Sequence, residues 1–419
     1  MFSTIGRLVN ARLAFRRVFS TGRSAVFQIE SRLLDNRVDQ QELREMVHRY
    51  DPSVPIERAI TPPSSWYTSP AMYKLEKDTV FKNNWLAIGR KDQVKRTGQY
   101  FTSNVVGEPL VVCRDLQGQL RAFLNVCCHR GMPVAKGEDT VSQFDCSYHG
   151  WSYALDGRLL KATKMKGIQN FKAKENGLKP LAVTTWGPLV LVKMTGNSAD
   201  VENNGLQLEK VETVLKQLDY DPDTEDIVFV KRSTRKITSN WKTVVENFSD
   251  GGYHVEVAHK TYTDSYYAGS TVRMADVNEY FTVQMAETNQ NNPKAETRIG
   301  KISTYIYIYP NFMISRYGPW VETITLFPYG YDSTDFVFDF FLDKSFFQNK
   351  PRDEVRNFID ESVAISDKIQ DEDDEICEGV HFGLMSSAYD AGRYVPRVEM
   401  SQYVFHQRLA KELRGHWSL

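Results

Sequence analysis

The chain has 419 residues, with 52 Lys and Arg against 53 Asp and Glu. That balance gives no electrostatic footprint for nucleic acid or an anionic membrane surface, and no apolar run approaches the ~20 residues a membrane span needs. The five cysteines are too few and too scattered for a disulfide framework, so a reducing compartment is expected.

Residues 1–29 hold five arginines (Arg7, Arg12, Arg16, Arg17, Arg23), several Ser and Thr, and neither Asp nor Glu. This composition predicts an organellar transit peptide. Arg17-Val18-Phe19-Ser20 looks like a mitochondrial processing site with the cut after Phe19, so a mitochondrial matrix location is expected; a disordered basic tail is the alternative. Residues 30–84 form an N-terminal helical segment expected to pack on the C-terminal half. Leu33, Leu34, Val38, Leu43 and Val47 predict a short helix, Pro52, Pro55, Pro62 and Pro63 interrupt it, and a second helix runs from Met72 to Asn84.

Residues 85–195 read as short strands with turn signals, a small antiparallel domain. Within them Cys127, His129, Cys146 and His149 make a C-x-H…C-x-x-H set, with 16 residues between His129 and Cys146. Zinc sites more often pair C-x(2–4)-C with H-x(3–5)-H. Here each half supplies one Cys and one His, which suits a [2Fe–2S] centre of Rieske type, Cys127 and Cys146 on one iron and His129 and His149 on the other. Two neutral imidazoles in place of thiolates raise the reduction potential of such a cluster. Cys128 is expected to be a packed thiol. A one-electron relay implies a downstream user of electrons.

Residues 196–419 begin with a polar, acidic connector carrying one helix, Leu206 to Leu218. Strands are expected at Asp226 to Lys236, Tyr280 to Ala286, Ser303 to Tyr309, Phe312 to Arg316, Val321 to Pro328 and Phe336 to Leu342. Helices are expected at Trp241 to His259, at Arg352 to Leu384 and over the last residues. The fold class is α+β: a small all-β domain plus a domain with an antiparallel sheet flanked by helices. His254 and His259, five apart, stand roughly 140° apart on an ideal helix. They can share a ligand only if the helix unwinds locally, which Gly251 and Gly252 permit.

The loops NVCCHRGMPV and CSYHGWSYALDG, followed by Asn247, Tyr253, His254 and His259, resemble the Rieske non-haem iron oxygenases over nearly the whole chain beyond residue 29. The resemblance implies a mononuclear Fe(II) held by His254, His259 and a late Asp, a facial triad with open positions for O2. Glu378-Gly-Val-His-Phe-Gly383-Leu384 places that ligand at Asp373, with Asp374 in reserve. Many members carry a bridging acid three residues before the first iron histidine; here that position is Gly251, so Asp250, or Glu246 one turn earlier, takes the role. The resemblance also implies a head-to-tail homotrimer and a ferredoxin or flavin reductase as electron donor.

Asp250-Gly-Gly-Tyr-His254, Pro310 to Trp320 and Gly392 to Pro396 look like the choline monooxygenase branch. This implies hydroxylation of a small quaternary ammonium compound, choline giving the betaine aldehyde hydrate. Cation–π attraction suits such a group, making Tyr305, Tyr307, Tyr309, Phe312, Tyr317 and Trp320 candidate pocket residues. Two alternatives stand beside it: N-demethylation of a betaine or carnitine-like compound, and a Rieske electron carrier without oxygenase activity.

Overall fold

The computed structural model describes residues 39–195, 208–217, 221, 226–259, 272–288, 293–348 and 350–417. The expected transit peptide lies outside these residues. Three helices come first, α1 (Gln40–His48), α2 (Ser65–Thr68) and α3 (Pro70–Glu76). Asp39 caps α1 by accepting from Glu42 N at 3.1 Å. Leu43 and Val47, one turn apart, are its buried face. Pro70 opens α3, where a missing N–H does no harm. A wider π turn, Lys77–Phe81, then ends the helix expected over 72–84.

Strands β1 (Leu86–Arg90), β2 (Gln99–Val105), β3 (Glu108–Arg114), β4 (Leu120–Leu124), β5 (Glu138–Thr140), β6 (Gln143–Asp145), β7 (Ser152–Ala154), β8 (Leu159–Lys161), β9 (Pro180–Trp186) and β10 (Leu189–Lys193) build the N-terminal domain. They form an antiparallel sheet in the order β1-β10-β9-β4-β3-β2-β5 and a separate sheet β6-β7-β8. Helix α4 (Leu208–Gln217) is the described part of the connector helix.

The C-terminal domain runs β11 (Ile227–Ile237), α5 (Trp241–Phe248), α6 (Val255–Ala258), β12 (Arg273–Val277), β13 (Phe281–Glu287), α7 (Pro293–Ile299), β14 (Ile302–Ile308), β15 (Phe312–Tyr317), β16 (Trp320–Pro328), β17 (Thr334–Asp343), α8 (Arg352–Leu384) and α9 (Met400–Gly415). Its antiparallel sheet has the order β11-β17-β16-β15-β14-β13-β12. Successive side chains point to opposite faces. One face, with Phe281, Ile306, Phe312 and Phe341, packs on Trp85 and Trp186 of the first domain and Leu215 of α4. The other, with Tyr307, Trp320 and Phe338, packs on Trp241 of α5 and Phe405 and Leu409 of α9. No helix among the described residues is long and apolar enough to cross a membrane.

Helix α5 is fixed to the N-terminal segment by charge. Lys242 Nζ meets Glu76 Oε1 with both side chains fully buried, and Trp241 Nε1 donates to Glu76 Oε2 at 2.8 Å. Removing one partner leaves the other charge buried and alone. Lys242→Met should therefore cost about 3–5 kcal/mol in urea unfolding, and the double variant Glu76→Leu/Lys242→Met should regain most of it.

Candidate metal centres

The two loops of the N-terminal domain are built alike. Cys127 N donates to Met132 O and Gly131 N to Cys127 O, at 2.8 and 2.9 Å; Cys146 N donates to Trp151 O and Gly150 N to Cys146 O, again at 2.8 and 2.9 Å. Both cysteines are buried, whereas His129 is half-buried and His149 exposed. The two imidazole centroids lie 4.6 Å apart, and His129 stacks on Trp151. Cys127 Sγ lies 3.1 Å from Tyr153 Oη. Two buried thiols and two neighbouring, more exposed imidazoles are the donors that would hold a [2Fe–2S] cluster. Cys128 departs from expectation: it is exposed, and its thiol donates to Gly177 O at 2.9 Å.

In the second domain the helix expected over 241–259 is broken. It stops at Phe248 and resumes as the single turn α6, with His254 at its start and His259 at its end. Gly251 and Gly252 lie between, at φ 69° and 74°. A Cβ on Gly251 would meet the Val398 carbonyl oxygen at 2.4 Å. This position therefore has no room for the bridging acid that the resemblance implies there. From β13, Gln284 clamps both sides of the break: its Oε1 accepts from Gly251 N at 2.7 Å and its Nε2 donates to Phe248 O at 2.8 Å.

The break turns both histidines toward α8. His254 Nε2 and His259 Nε2 lie 3.4 and 3.2 Å from Asp373 Oδ1, and the three residues offer ligand atoms within 4.8 Å of one another. Each Nδ1 is held by a second carboxylate, His254 by Asp250 Oδ2 at 2.6 Å and His259 by Glu372 Oε2 at 2.7 Å. Such partners fix ring orientation and leave Nε2 facing the metal. Asn247 Nδ2 donates to Asp373 Oδ1 at 3.1 Å. Burial opposes charge on His254, but hydrogen bonds to Asp250 and Asp373 outweigh it and raise its pKa to about 10. Burial also opposes charge on Asp373, yet the two histidines hold its carboxyl down at about 2. The set favours positive charge at its centre, which a divalent ion supplies by displacing protons.

The remaining candidates divide. Asp374, the reserve ligand, turns away, accepting from Gln370 at 2.8 Å and Arg235 at 3.1 Å. Asp250 touches an iron-site histidine, and its carboxylate also accepts from the backbone N–H groups of Gly252, Tyr253 and His254. Glu246 does not reach this site: it accepts from Tyr67 Oη, and His406 Nε2 lies 2.9 Å away. A cavity of about 200 Å³ opens beside the histidines and Asp373 and is lined by Tyr305 and Tyr317. The other four aromatic candidates do not line it. Tyr307 and Tyr309 continue along the same strand face but pack against Phe405 of α9. Phe312 points to the opposite face beside Trp186, and Trp320 stacks on Phe358.

Sequence reasoning missed Glu372, Gln284, Phe338 and Phe340, although all but Glu372 line the cavity. Gln284 left a signal, being a lone amide within the apolar strand Phe281–Glu287. Glu372 was hidden in an acidic run.

Residues 84–172 match the Rieske [2Fe-2S] domain, and residues 224–415 match the ring hydroxylating alpha subunit (catalytic domain). The chloroplastic choline monooxygenase of Arabidopsis thaliana is 40% identical over 380 residues, 89% of this chain and 87% of that protein. The chain belongs to the Rieske ring-hydroxylating oxygenases. It is thus an oxidoreductase that uses O2 with a Rieske [2Fe–2S] cluster and a non-haem iron centre. The carnitine monooxygenase oxygenase subunit of Escherichia coli K12 is 31% identical over 210 residues, 50% of this chain and 54% of that protein. A solved structure of the quaternary ammonium Rieske monooxygenase CntA with L-carnitine shares the fold at TM-score 0.71 and 23% identity, covering 86% of this chain and 97% of that one.

The comparison corrects the expected location. The choline monooxygenases of Arabidopsis thaliana and Spinacia oleracea are chloroplastic, which overturns the mitochondrial reading of residues 1–29. An Arg- and Ser-rich, acid-poor composition is common to plastid and mitochondrial leaders, so it does not specify the mitochondrion.

Gly251→Ala tests the break. A left-handed backbone costs a non-glycine residue about 1–2 kcal/mol, and the Val398 carbonyl adds a clash. The variant should lose the mononuclear iron on metal analysis and keep the visible spectrum of the cluster.

Proposed function

We propose that this oxygenase hydroxylates choline at its alcohol carbon. The balance is R–CH2OH + O2 + 2 electrons + 2 protons → R–CH(OH)2 + H2O, giving the betaine aldehyde hydrate. The observation that carries the reading is 40% identity to a choline monooxygenase across most of both chains, joined to a small cavity with two tyrosines beside the metal-site histidines. Cys127, Cys146, His129 and His149 would hold the cluster, and His254, His259 and Asp373 the single iron. When bound, the cluster supplies electrons one at a time and the ferrous ion supplies a site where dioxygen is activated for C–H hydroxylation. The chain's own part is positional. Asp250 and Glu372 aim the two imidazoles, Gln284 and the glycine pair hold the loop, and Tyr305 and Tyr317 give the substrate's cationic end an aromatic wall.

We further infer a homotrimer in which the cluster of one subunit serves the iron of the next, with a ferredoxin or flavin reductase as donor. Apolar side chains stand exposed at both ends of such a contact: Met132 and Tyr148 beside the cluster histidines, and Tyr253, Val257 and Phe382 around the iron-site elements. In this reading Asp250 is the acid that would couple the two sites, supported by its contact with His254. The likeness to carnitine monooxygenase over half the chain supports a carnitine-like substrate, and N-demethylation of such a compound stands as the second reading. The electron-carrier alternative requires that the histidine–aspartate set bind no iron.

Turnover of trimethylammonium compounds with a surrogate reductase separates these readings. Choline should give aldehyde without formaldehyde; formaldehyde would point to demethylation, and no product with any compound to a carrier. Cys146→Ala should bleach the cluster, and His254→Ala should lose the single iron but keep the cluster spectrum. Each alone should be inactive. Co-assembly of the two should restore activity if electrons cross between subunits, and leave none if they stay within one chain.

A further inference from the structure

One buried acid in the cavity makes no hydrogen bond to the metal set and has no ion-pair partner among the described residues. Gln284, Tyr305, Ser315, Glu322 and Phe340 stand opposite one another on β13, β14, β15, β16 and β17, and all five line the cavity. Gln284 is occupied with the iron loop. Glu322 is only 8% exposed, and its partner is neutral: Tyr317 Oη donates to Glu322 Oε2 at 3.0 Å. Among the described residues, no Lys, Arg or His nitrogen lies within the 4.0 Å of an ion pair with it. Arg298 of α7 is nearby, but it donates to Ser362 O and Ser366 Oγ, and its guanidinium lies over the Tyr317 ring.

A carboxylate in such a place is costly unless a cation comes to it. Burial raises the Glu322 carboxyl to about 7, against the Tyr317 hydrogen bond and the field of Arg298, while Asp367 of α8 pushes it the same way as burial. A quaternary ammonium group has no N–H to donate. It needs negative charge and aromatic faces, and it leaves the Tyr317 hydrogen bond in place.

Building on the quaternary ammonium reading above, we propose that Glu322 is the counter-charge that recognises the substrate's cationic head. Tyr317 fixes the carboxylate, and Tyr305, Phe338 and Phe340 provide the aromatic faces beside it. Anchoring the cation leaves the uncharged alcohol arm as the end that reaches the metal histidines.

The test compares choline with 3,3-dimethyl-1-butanol, which has the same shape with carbon in place of charged nitrogen. KM and kcat are measured for both on the wild-type holoenzyme, Glu322→Gln and Glu322→Asp, after checking iron content and visible spectrum. Loss of one charged contact should raise the KM for choline relative to the neutral analogue by about 10- to 100-fold in Glu322→Gln, and Glu322→Asp should keep part of the preference. Equilibrium dialysis of choline against the same proteins reads the shift without turnover. Equal shifts for both compounds, or an unchanged preference, would overturn the role of Glu322 while leaving choline oxidation standing. Wild-type enzyme that neither binds nor oxidises choline would remove the underlying reading and this one with it.

Discussion

Two histidines five residues apart can face one metal only if the helix between them is interrupted, and in this chain the interruption determines most of what surrounds the iron site. Gly251 and Gly252 adopt left-handed conformations that a side chain would resist. The turn they make brings His254 and His259 over Asp373. It also packs the loop so closely on the Val398 carbonyl that no side chain fits at Gly251. The acid present in this loop is Asp250, one residue earlier, and its carboxylate meets His254 Nδ1.

The loop is held from three sides. Gln284 reaches up from the sheet, and α8 supplies Asp373 and Glu372. The Glu76–Lys242 pair anchors α5, the helix that leads into the loop, to the N-terminal segment. Stability and function meet in this arrangement. A buried ion pair contributes little net stability, but here it locks the chain leading to the first metal histidine. The sheet does double service: one face carries the contact with the Rieske domain, and the other forms the cavity floor beneath the iron site.

Part of this was legible in the sequence: the C-x-H…C-x-x-H spacing singled out one donor set, and family resemblance grouped His254, His259 and Asp373, which the structure brings together. Six of the seven strands of the second domain and the span of α8 follow from residue pattern, whereas β12 and α7 went unread, and the glycine pair permitted the break. The mitochondrial reading of residues 1–29 is overturned by the chloroplastic relatives; an Arg-rich, acid-poor composition does not by itself name a compartment. The aromatic pocket was legible only in part. Strand alternation puts Tyr305, Tyr307 and Tyr309 on one face, but it cannot say how far along that face α9 closes down, and α9 covers the last two. Glu322 was invisible for a similar reason: whether an acid in a strand points to water or into a cavity depends on what packs above it.

The central claim is that an electron stored on the Rieske cluster is used at the His254–His259–Asp373 iron to oxidise a bound trimethylammonium alcohol. A single-turnover experiment tests it most directly. The holoenzyme is reduced under anaerobic conditions, freed of reductant, and mixed with choline and dioxygen with no reductase present. The account predicts betaine aldehyde hydrate formed in step with return of the oxidised-cluster spectrum. Reoxidation of the cluster without product, or product formed while the cluster stays reduced, would contradict it.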